Sequence, residues 1–487
     1  MLSVEKIQDP EKLRRIAGLL DREVDRLQQQ VRDLVFENAR LRGETLAQVD
    51  FSFPSQALQK ALTQEREEPS PSRPVRPPQP GHGPRPQKQL PVVEQVHELP
   101  PSERGCGVCG GELAPMPGQY EESEEVTVTE RSYSLVVHRR QKYRCRCNGN
   151  VQTAPGPLKL IPGGRYSLDF AVHVAVQKYG DHLPLERQVE IMARQGLETS
   201  SQALWDQIEA AAQVLRPSYE ALGQWLLAQP MLHADETGWP VNAQDTRKSR
   251  WTAWCLCQER AVWFRIASSK SEAEGRKLLG DYRGTVVADG YKVYKNLAQS
   301  AGRSGYRLAH CWAHALRRFR DTLETDPRSA WMLERIAELY ALEREILVES
   351  GGDSAQHLAL RQSRARPLLQ QIQEWALSQG GLRRSDFGRA VAYVLSHWLG
   401  LTRFLEDAAV PLDNNPAERA LRGLVTGRKN HYGSRSQRGA ETSAIFYSLL
   451  GTAKLCGVDP GPYLRQALTA ALRSPGEPTI TLPFSLS

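Results

Sequence analysis

Three acidic residues in this chain sit in surroundings that otherwise favour apolar or cationic side chains, and carboxylates are the ligands that hard divalent cations require. In MLHADETGWPVN, Asp235 lies among small or polar residues where strand alternation would otherwise place aliphatic ones. In TVVADGYKVY, Asp289 follows the apolar run Val286-Val287-Ala288. Both segments read as strands, so two carboxylates fall on adjacent parts of one sheet, an arrangement suited to Mg²⁺ or Mn²⁺. Holding two such ions about 4 Å apart on a scissile phosphate takes a third carboxylate. The candidate lies far along the chain, in PLDNNPAERALRGLVTGRKNHYGSRSQRGAE. There Asp413 or Asn414 can cap a helix with Pro416 in its first turn, which sets Glu418 near the helix N-terminus and Arg422 one turn further along the same face. From Arg419 to Arg438 come Arg419, Arg422, Arg428, Lys429, Arg435 and Arg438, with no Asp or Glu among them. A solvated helix face is normally interrupted by acids, so a run of one sign points to phosphate contact.

A second set of residues suits a different metal. Cys106-Gly-Val-Cys109 and Cys145-Arg-Cys147 flank a stretch of alternating residues from Glu124 to Tyr143. Four thiolates satisfy the tetrahedral preference of Zn²⁺, and glycine after Cys109 lets backbone amides turn toward the sulfurs. The second pair is tighter than the usual C-x-x-C, which leaves His138 as a substitute for one cysteine. A structural Zn²⁺ in a small β module at 105–150 is the expectation. The remaining thiols read otherwise. Cys255 and Cys257 share a strand face as core residues, while Cys311 and His314, in HCWAH, have ligand spacing without a partner pair and suit packing or substrate orientation.

The elements that must position the acids follow from periodicity. Strand patterns cover MLHADETGWPVN, RWTAWCLCQ and AVWFRIAS, a helical SEAEGRKLLGDY follows, and TVVADGYKVY reads as a further strand. Three strands, a helix and a strand in that order fit an α/β, RNase-H-like catalytic core over 229–450. Between Arg317 and Leu405 apolar residues recur at helical spacing, Leu333, Ile336, Tyr340 and Leu347 on one face and Val391, Val394, Leu395 and Trp398 on another. A long all-helical insertion is therefore expected at about 317–405. Residues 160–228 read as helical, with a break at Gly196 and Ser200 or Ser201 capping a second helix, the outline of a helix-turn-helix that could bind DNA. Residues 451–487 form a C-terminal segment.

At the other end, Leu13, Leu20, Leu27, Leu34 and Leu41 fall on d positions, with Ala17, Val24, Val31 and Asn38 on a positions. That register predicts a parallel, dimerising leucine-zipper coiled coil within 1–50, with Asn38 fixing two strands. The 64–104 stretch is proline-rich and basic, with 11 prolines between Pro69 and Pro101, and reads as an extended linker. The chain has 487 residues, room for several domains, and its eight cysteines are too few for a secreted disulfide framework. With no apolar leader at the start and no apolar run long enough to span a bilayer, a reducing, cytoplasmic location is expected, nucleoid-associated when bound to DNA. The net charge of +7, from 63 Lys and Arg against 56 Asp and Glu, argues for a polyanionic partner only where the cations cluster.

HADETGWPV, VADGYKVY, HCWAHALRRF, LDNNPAERALR and GRKNHYGS resemble, in their order, the signature blocks of transposases of the insertion sequence 66 family. The resemblance covers nearly the whole length, and the C-x-C at Cys145 and Cys147 departs from it. It implies a leucine zipper, a zinc-binding module, a DDE catalytic domain whose metal-binding triad is Asp235, Asp289 and Glu418, and a short C-terminal segment. It also implies a transposase that binds element ends and target DNA, self-associates through the zipper, and works beside element-encoded helper proteins. Cleavage and joining of 3′ ends would then proceed by two-metal-ion hydrolysis and transesterification, with water or a terminal 3′-hydroxyl as nucleophile. The alternative is a non-catalytic, zinc-containing dimeric regulator or DNA-bridging protein, for which zipper, zinc module and basic patches would suffice.

Overall fold

The computed structural model describes residues 133–144, 151–242, 250–300, 305–379, 385–474, 476–477 and 479–485. All belong to the compact unit Glu124–Ser487. The heptads with Asn38, the 64–104 stretch, and Cys106, Cys109, Cys145 and Cys147 lie outside the described residues. The protein is mixed α/β. A short antiparallel pair, β1 (Lys142–Arg144) and β2 (Val151–Thr153), precedes helix α1 (Leu168–Ala175), which runs on into a π turn at Val176–Gly180. Helices α2 (Leu185–Arg194) and α3 (Ser201–Leu227) follow, joined across Gly196, whose φ of 81° is natural only to glycine. Ser200 caps α3 by accepting a hydrogen bond from Ala203 N. Helix α3 continues well beyond Ala212, burying Leu204, Ile208, Ala211, Leu215, Leu222 and Leu226 in the same core as the central sheet. Near its N-terminus Asp206 is exposed and Glu209 half-buried.

That sheet has five strands: β3 (Met231–Pro240), β4 (Arg250–Gln258), β5 (Ala261–Ala267), β6 (Thr285–Ala288) and β7 (Arg307–His310). Their order is β5-β4-β3-β6-β7, antiparallel among the first three and parallel from β3 through β6 to β7. Helix α4 (Glu272–Leu279) links β5 to β6, and α5 (Lys292–Ser300) links β6 to β7. The strand expected over TVVADGYKVY is thus cut short at Ala288. Beyond Gly290 the apolar residues Val293, Tyr294 and Leu297 are buried on one side of α5, a helical spacing that alternation had masked. The fifth strand, β7, escaped the sequence reading because four residues carry too little periodicity. Edge strand β5 is sealed by helix α13 (Gln437–Leu455): Val262 N and Phe264 N donate to the hydroxyls of Thr452 and Ser448, and the Thr452 hydroxyl donates back to Val262 O. One helical turn between the two hydroxyls matches the two-residue repeat of the strand.

A second core forms around α6 (Trp312–Arg320), α7 (Ser329–Ser350), α8 (Ser354–Leu360), α9 (Arg366–Ser378), α10 (Asp386–Ser396) and the short α11 (Trp398–Leu401), with a π turn at Arg361–Ala365. Phe319, Ile336, Ile372, Phe387, Val391 and Val394 pack there. Of the expected apolar face, Ile336 is fully buried, Leu333 and Tyr340 are half-buried, and Leu347 is exposed. The chain then returns through α12 (Asn415–His431) and α13 to α14 (Pro460–Arg473), whose Tyr463, Leu464 and Leu468 rejoin the core of the sheet. Among the described residues no helix is long and apolar enough to cross a membrane.

The helical part is tied together by one buried cation. Arg361 is 2% exposed; its guanidinium donates to the backbone oxygens of Phe404, Asp407, Ala408 and Val410 and to both carboxylate oxygens of Glu343. Arg361→Met would leave the backbone oxygens of Phe404, Asp407, Ala408 and Val410 without this donor and the Glu343 carboxylate with His357 Nε2 alone, at 3.1 Å. Denaturant unfolding should show a loss of roughly 3–5 kcal/mol, and a loss below about 1 kcal/mol would remove Arg361 from this role.

Candidate active site

Strands β3 and β6 run parallel with His233 opposite Val287. Two residues beyond that pair come Asp235, still within β3, and Asp289, the residue after β6 ends, and the charge of Asp289 acts on Asp235. Strand β3 runs on past the end of β6 and there pairs with β4, Asp235 facing Cys255. Asp235 Oδ1 accepts from Glu236 N at 2.8 Å, and Asp289 Oδ1 accepts from Tyr291 N at 2.9 Å. Between Asp289 and Tyr291 only glycine fits. A Cβ on Gly290 would meet a ring carbon of Tyr393 at 2.6 Å and His397 Nε2 at 2.9 Å.

Glu418 reaches these acids through a buried amide. Asn414 occupies the N-cap position of α12 but makes no side-chain cap; it is 0% exposed and turns to the sheet instead. Its Nδ2 donates to Ala234 O at 2.8 Å, and its Oδ1 lies 2.9 Å from His233 Nδ1. Since the amide nitrogen is the donor to Ala234, the oxygen accepts from a His233 Nδ1–H. The Asn414 backbone N–H donates to Cys311 Sγ at 3.2 Å, and Trp312 N donates to Leu412 O at 2.9 Å. The first half of β3, the start of α6 and the start of α12 thus meet at one residue. Asp413 Oδ1 accepts from Asn415 N at 3.0 Å, and a proline sits in the first turn. The sequence pointed to Asp413 or Asn414 only as a cap; the signal for its larger role is an amide in a motif already supplied with a capping carboxylate.

Electrostatics link the three acids. Burial, then the charges of Glu236, Asp289 and Glu418, push the Asp235 carboxyl up to about 7, against the opposing hydrogen bond from Glu236 N. Glu236 itself is turned by strand alternation to the other side of the sheet, a partner set that sequence reasoning missed. It pairs with Lys270 Nζ at 2.7 Å and accepts from Tyr294 OH at 2.8 Å. Glu418 faces α6: Arg317 lies 3.4 Å from both of its oxygens and His314 Nε2 lies 3.7 Å from one. Burial lowers the His314 pKa, opposed by the charges of Asp289 and Glu418. Among the described residues no three His, Cys, Asp or Glu side chains form a ready metal cage. The oxygen donors of Asp235, Asp289 and Glu418 nevertheless suit a hard divalent cation, and the contacts Glu418 would release are a half-exposed Arg317 and His314 at 3.7 Å.

The cations downstream have neighbours that the linear sequence hides. Arg419, Arg422 and Lys429 are exposed. Arg428 donates to Thr237 Oγ1 at 3.0 Å and to Gly238 O, bracing α12 against β3. Arg435 lies 4.0 Å from Glu186 on α2, and Arg438 lies 3.0 Å from Glu209 on α3, although both arginines remain largely exposed. Cys255, Cys257 and Cys311 are buried free thiols. His138 lies in an exposed, non-regular stretch before β1.

Fold and site define a mixed α/β protein in which two parallel strands and the N-terminus of one helix gather carboxylates at one end of a sheet. Residues 163–442 match the family model described as Transposase IS66 family. The chain belongs to that family. It is 31% identical over 401 residues to Uncharacterized protein y4jD of Sinorhizobium fredii, covering 78% of this chain and 77% of that protein. With Uncharacterized protein y4qI of the same organism it shares 30% over 410 residues, 80% of this chain and 75% of the relative.

In the unfolded chain Asp235 ionises near the ordinary 3.8, whereas in the fold it does so near 7. Between those values the folded protein keeps a proton that the unfolded chain has released, so stability falls as pH rises through the window. Asp235→Asn removes that loss. In the presence of chelator its unfolding free energy, relative to wild type, should gain roughly 2–4 kcal/mol between pH 4 and pH 8. Parallel stability profiles for the two proteins would disprove the raised carboxyl.

Proposed function

We propose that this chain is a DDE-type DNA transposase that binds the ends of an insertion sequence, cleaves them and joins the 3′ ends to target DNA. Family membership supports a DNA-processing enzyme in general. The observation that supports the finer reading is that β3, the segment just after β6 and the start of α12, remote in sequence, bring Asp235, Asp289 and Glu418 near enough to feel one another's charge, with Asn414 bonded to Ala234 O beside Asp235. The strand order and directions support an RNase-H-like core, with three antiparallel strands followed by two parallel ones. Asp235, Asp289 and Glu418 would hold two Mg²⁺ or Mn²⁺ ions, which when bound supply activation of water or a 3′-hydroxyl and neutralise charge on the leaving 3′-oxygen.

The chain's own groups do the remaining work. Asp235, whose carboxyl burial pushes up to about 7, would release its proton near neutral pH if it held an ion. Arg317, released from Glu418, is free to hold a DNA phosphate, as are the exposed Arg419, Arg422 and Lys429; such contacts supply affinity that falls with salt. The buried Asn414 keeps Glu418 within reach of the strand-borne acids. Beyond the described residues, the heptads with Asn38 support a dimer, and Cys106, Cys109, Cys145 and Cys147 support one structural Zn²⁺. Metal analysis of protein purified without chelator should find one zinc per chain, and its absence would sink the zinc assignment. The mass in solution should be at least twice that of one chain.

With a labelled duplex carrying an element end, wild-type protein should nick the strand only with Mg²⁺ or Mn²⁺. Asp235→Asn, Asp289→Asn and Glu418→Gln should each lower nicking by about a thousandfold or more while binding changes only a few-fold. Nicking that survives these changes, or persists in chelator, contradicts the triad. Tight binding without any nicking by wild type would favour the regulator instead.

A further inference from the structure

Helix α12 ends on an unusual residue. Tyr432 has a φ of 57°, in the left-handed region that bulky side chains rarely enter. Gly433 follows at φ 83°, and a Cβ there would meet Pro240 O at 2.2 Å. The turn is fixed to the end of β3 from several directions. Tyr432 O accepts from Asn242 Nδ2 at 3.2 Å, Ser434 N donates to Pro240 O at 3.0 Å, and Asn242 N donates to Ser434 O at 2.8 Å. Trp239 Nε1 also donates to Ser434 Oγ at 3.1 Å. A backbone held this firmly in a disfavoured conformation would accept Gly or Asn more readily than Tyr. Among the described residues the ring has no aromatic partner, and it is 76% exposed. Strain of this kind gathers at functional sites.

We propose that Tyr432 stacks on an unpaired nucleobase of DNA bound along α12. The proposal rests on the DNA-processing reading above and adds a base contact that the carboxylate site does not supply. DNA is favoured over a protein surface because Tyr432 is a single aromatic among exposed Lys429, Asn430, Arg435 and Arg438, whereas protein docking faces are contiguous apolar patches. Arg435 and Arg438 keep 91% and 74% of their side-chain surface exposed beside Glu186 and Glu209, so both can reach phosphates. Helix α12 is pinned to β3 at both ends, by Asn414 and by this turn. It therefore holds the ring at a set distance from Glu418, about 20 Å for fourteen residues at 1.5 Å each, or about six base pairs of duplex.

The test uses the full chain with a 30-base-pair duplex of arbitrary sequence and the same duplex carrying one bulged, unpaired 2-aminopurine. Wild type should bind the bulged DNA roughly tenfold more tightly, the scale of one base–aromatic stack, and should quench the 2-aminopurine fluorescence. Tyr432→Phe should retain both effects. Tyr432→Gly relieves the backbone, so it should unfold at a temperature no lower than wild type, lose the preference and the quenching, and bind the uninterrupted duplex within twofold of wild type. Preference and quenching that survive in Tyr432→Gly overturn the proposal, as does their loss in Tyr432→Phe, which would assign them to the hydroxyl. Equal affinity of wild type for the two duplexes overturns it as well. Failure of wild type to bind either DNA would overturn the DNA-processing reading and the stacking role together.

Discussion

The buried amide of Asn414 is the interaction on which the arrangement of the acids depends. It sits 0% exposed between three pieces of chain that are remote in sequence, giving a hydrogen bond to Ala234 O, taking one from His233, and offering its own backbone N–H to Cys311. In a low-dielectric interior such an amide is costly unless its partners are all in place, so the pieces assemble together or not at all. Ala234 is the residue before Asp235, Cys311 precedes the helix that carries His314 and Arg317, and Asn414 opens the helix that carries Glu418. One side chain therefore sets the mutual position of every group in the candidate site except Asp289, which its own strand delivers.

Strand periodicity does the rest of the sorting. Asp235 and Glu236 are adjacent, yet alternation sends them to opposite sides of the sheet, into opposite electrostatic circumstances. Glu236 meets Lys270 and the Tyr294 hydroxyl, which offset part of its burial while its carboxyl stays above the usual carboxylate range. Asp235 meets a single backbone N–H and the charges of Glu236, Asp289 and Glu418. The same dipeptide thus contains one carboxylate beside a cation and a hydroxyl and one held short of such partners, which leaves the second freer to take a ligand.

What could be read from the sequence was whatever depends on near neighbours. Strands β4 and β5, helix α4, the cap at Ser200 and the helical character of the long interval before Asn414 all follow from local periodicity and capping. Asp235 and Asp289 stood out for local reasons too, the first as an acid where strand alternation would place an aliphatic residue, the second as an acid following an apolar run. What was hidden depends on contacts across large sequence separations. The cation run looked free of acids because Glu186 and Glu209 belong to α2 and α3, more than two hundred residues earlier. Asn414 looked like a cap because its partners lie at Ala234 and His233. Strand β7 looked like loop because a four-residue parallel strand is specified by the neighbour it pairs with rather than by its own pattern.

The hydroxyls of Ser448 and Thr452 have a consequence for how copies of this chain can meet. An open edge strand invites strand addition, by which identical molecules pair end on end into sheets without limit. Here the outer amides of Val262 and Phe264 already donate to a helix of the same molecule, so β5 has no ladder to offer. Self-association by extending the sheet is hindered at that border, and a contact made there would rely on side-chain surfaces, which can specify how many chains join and in what orientation.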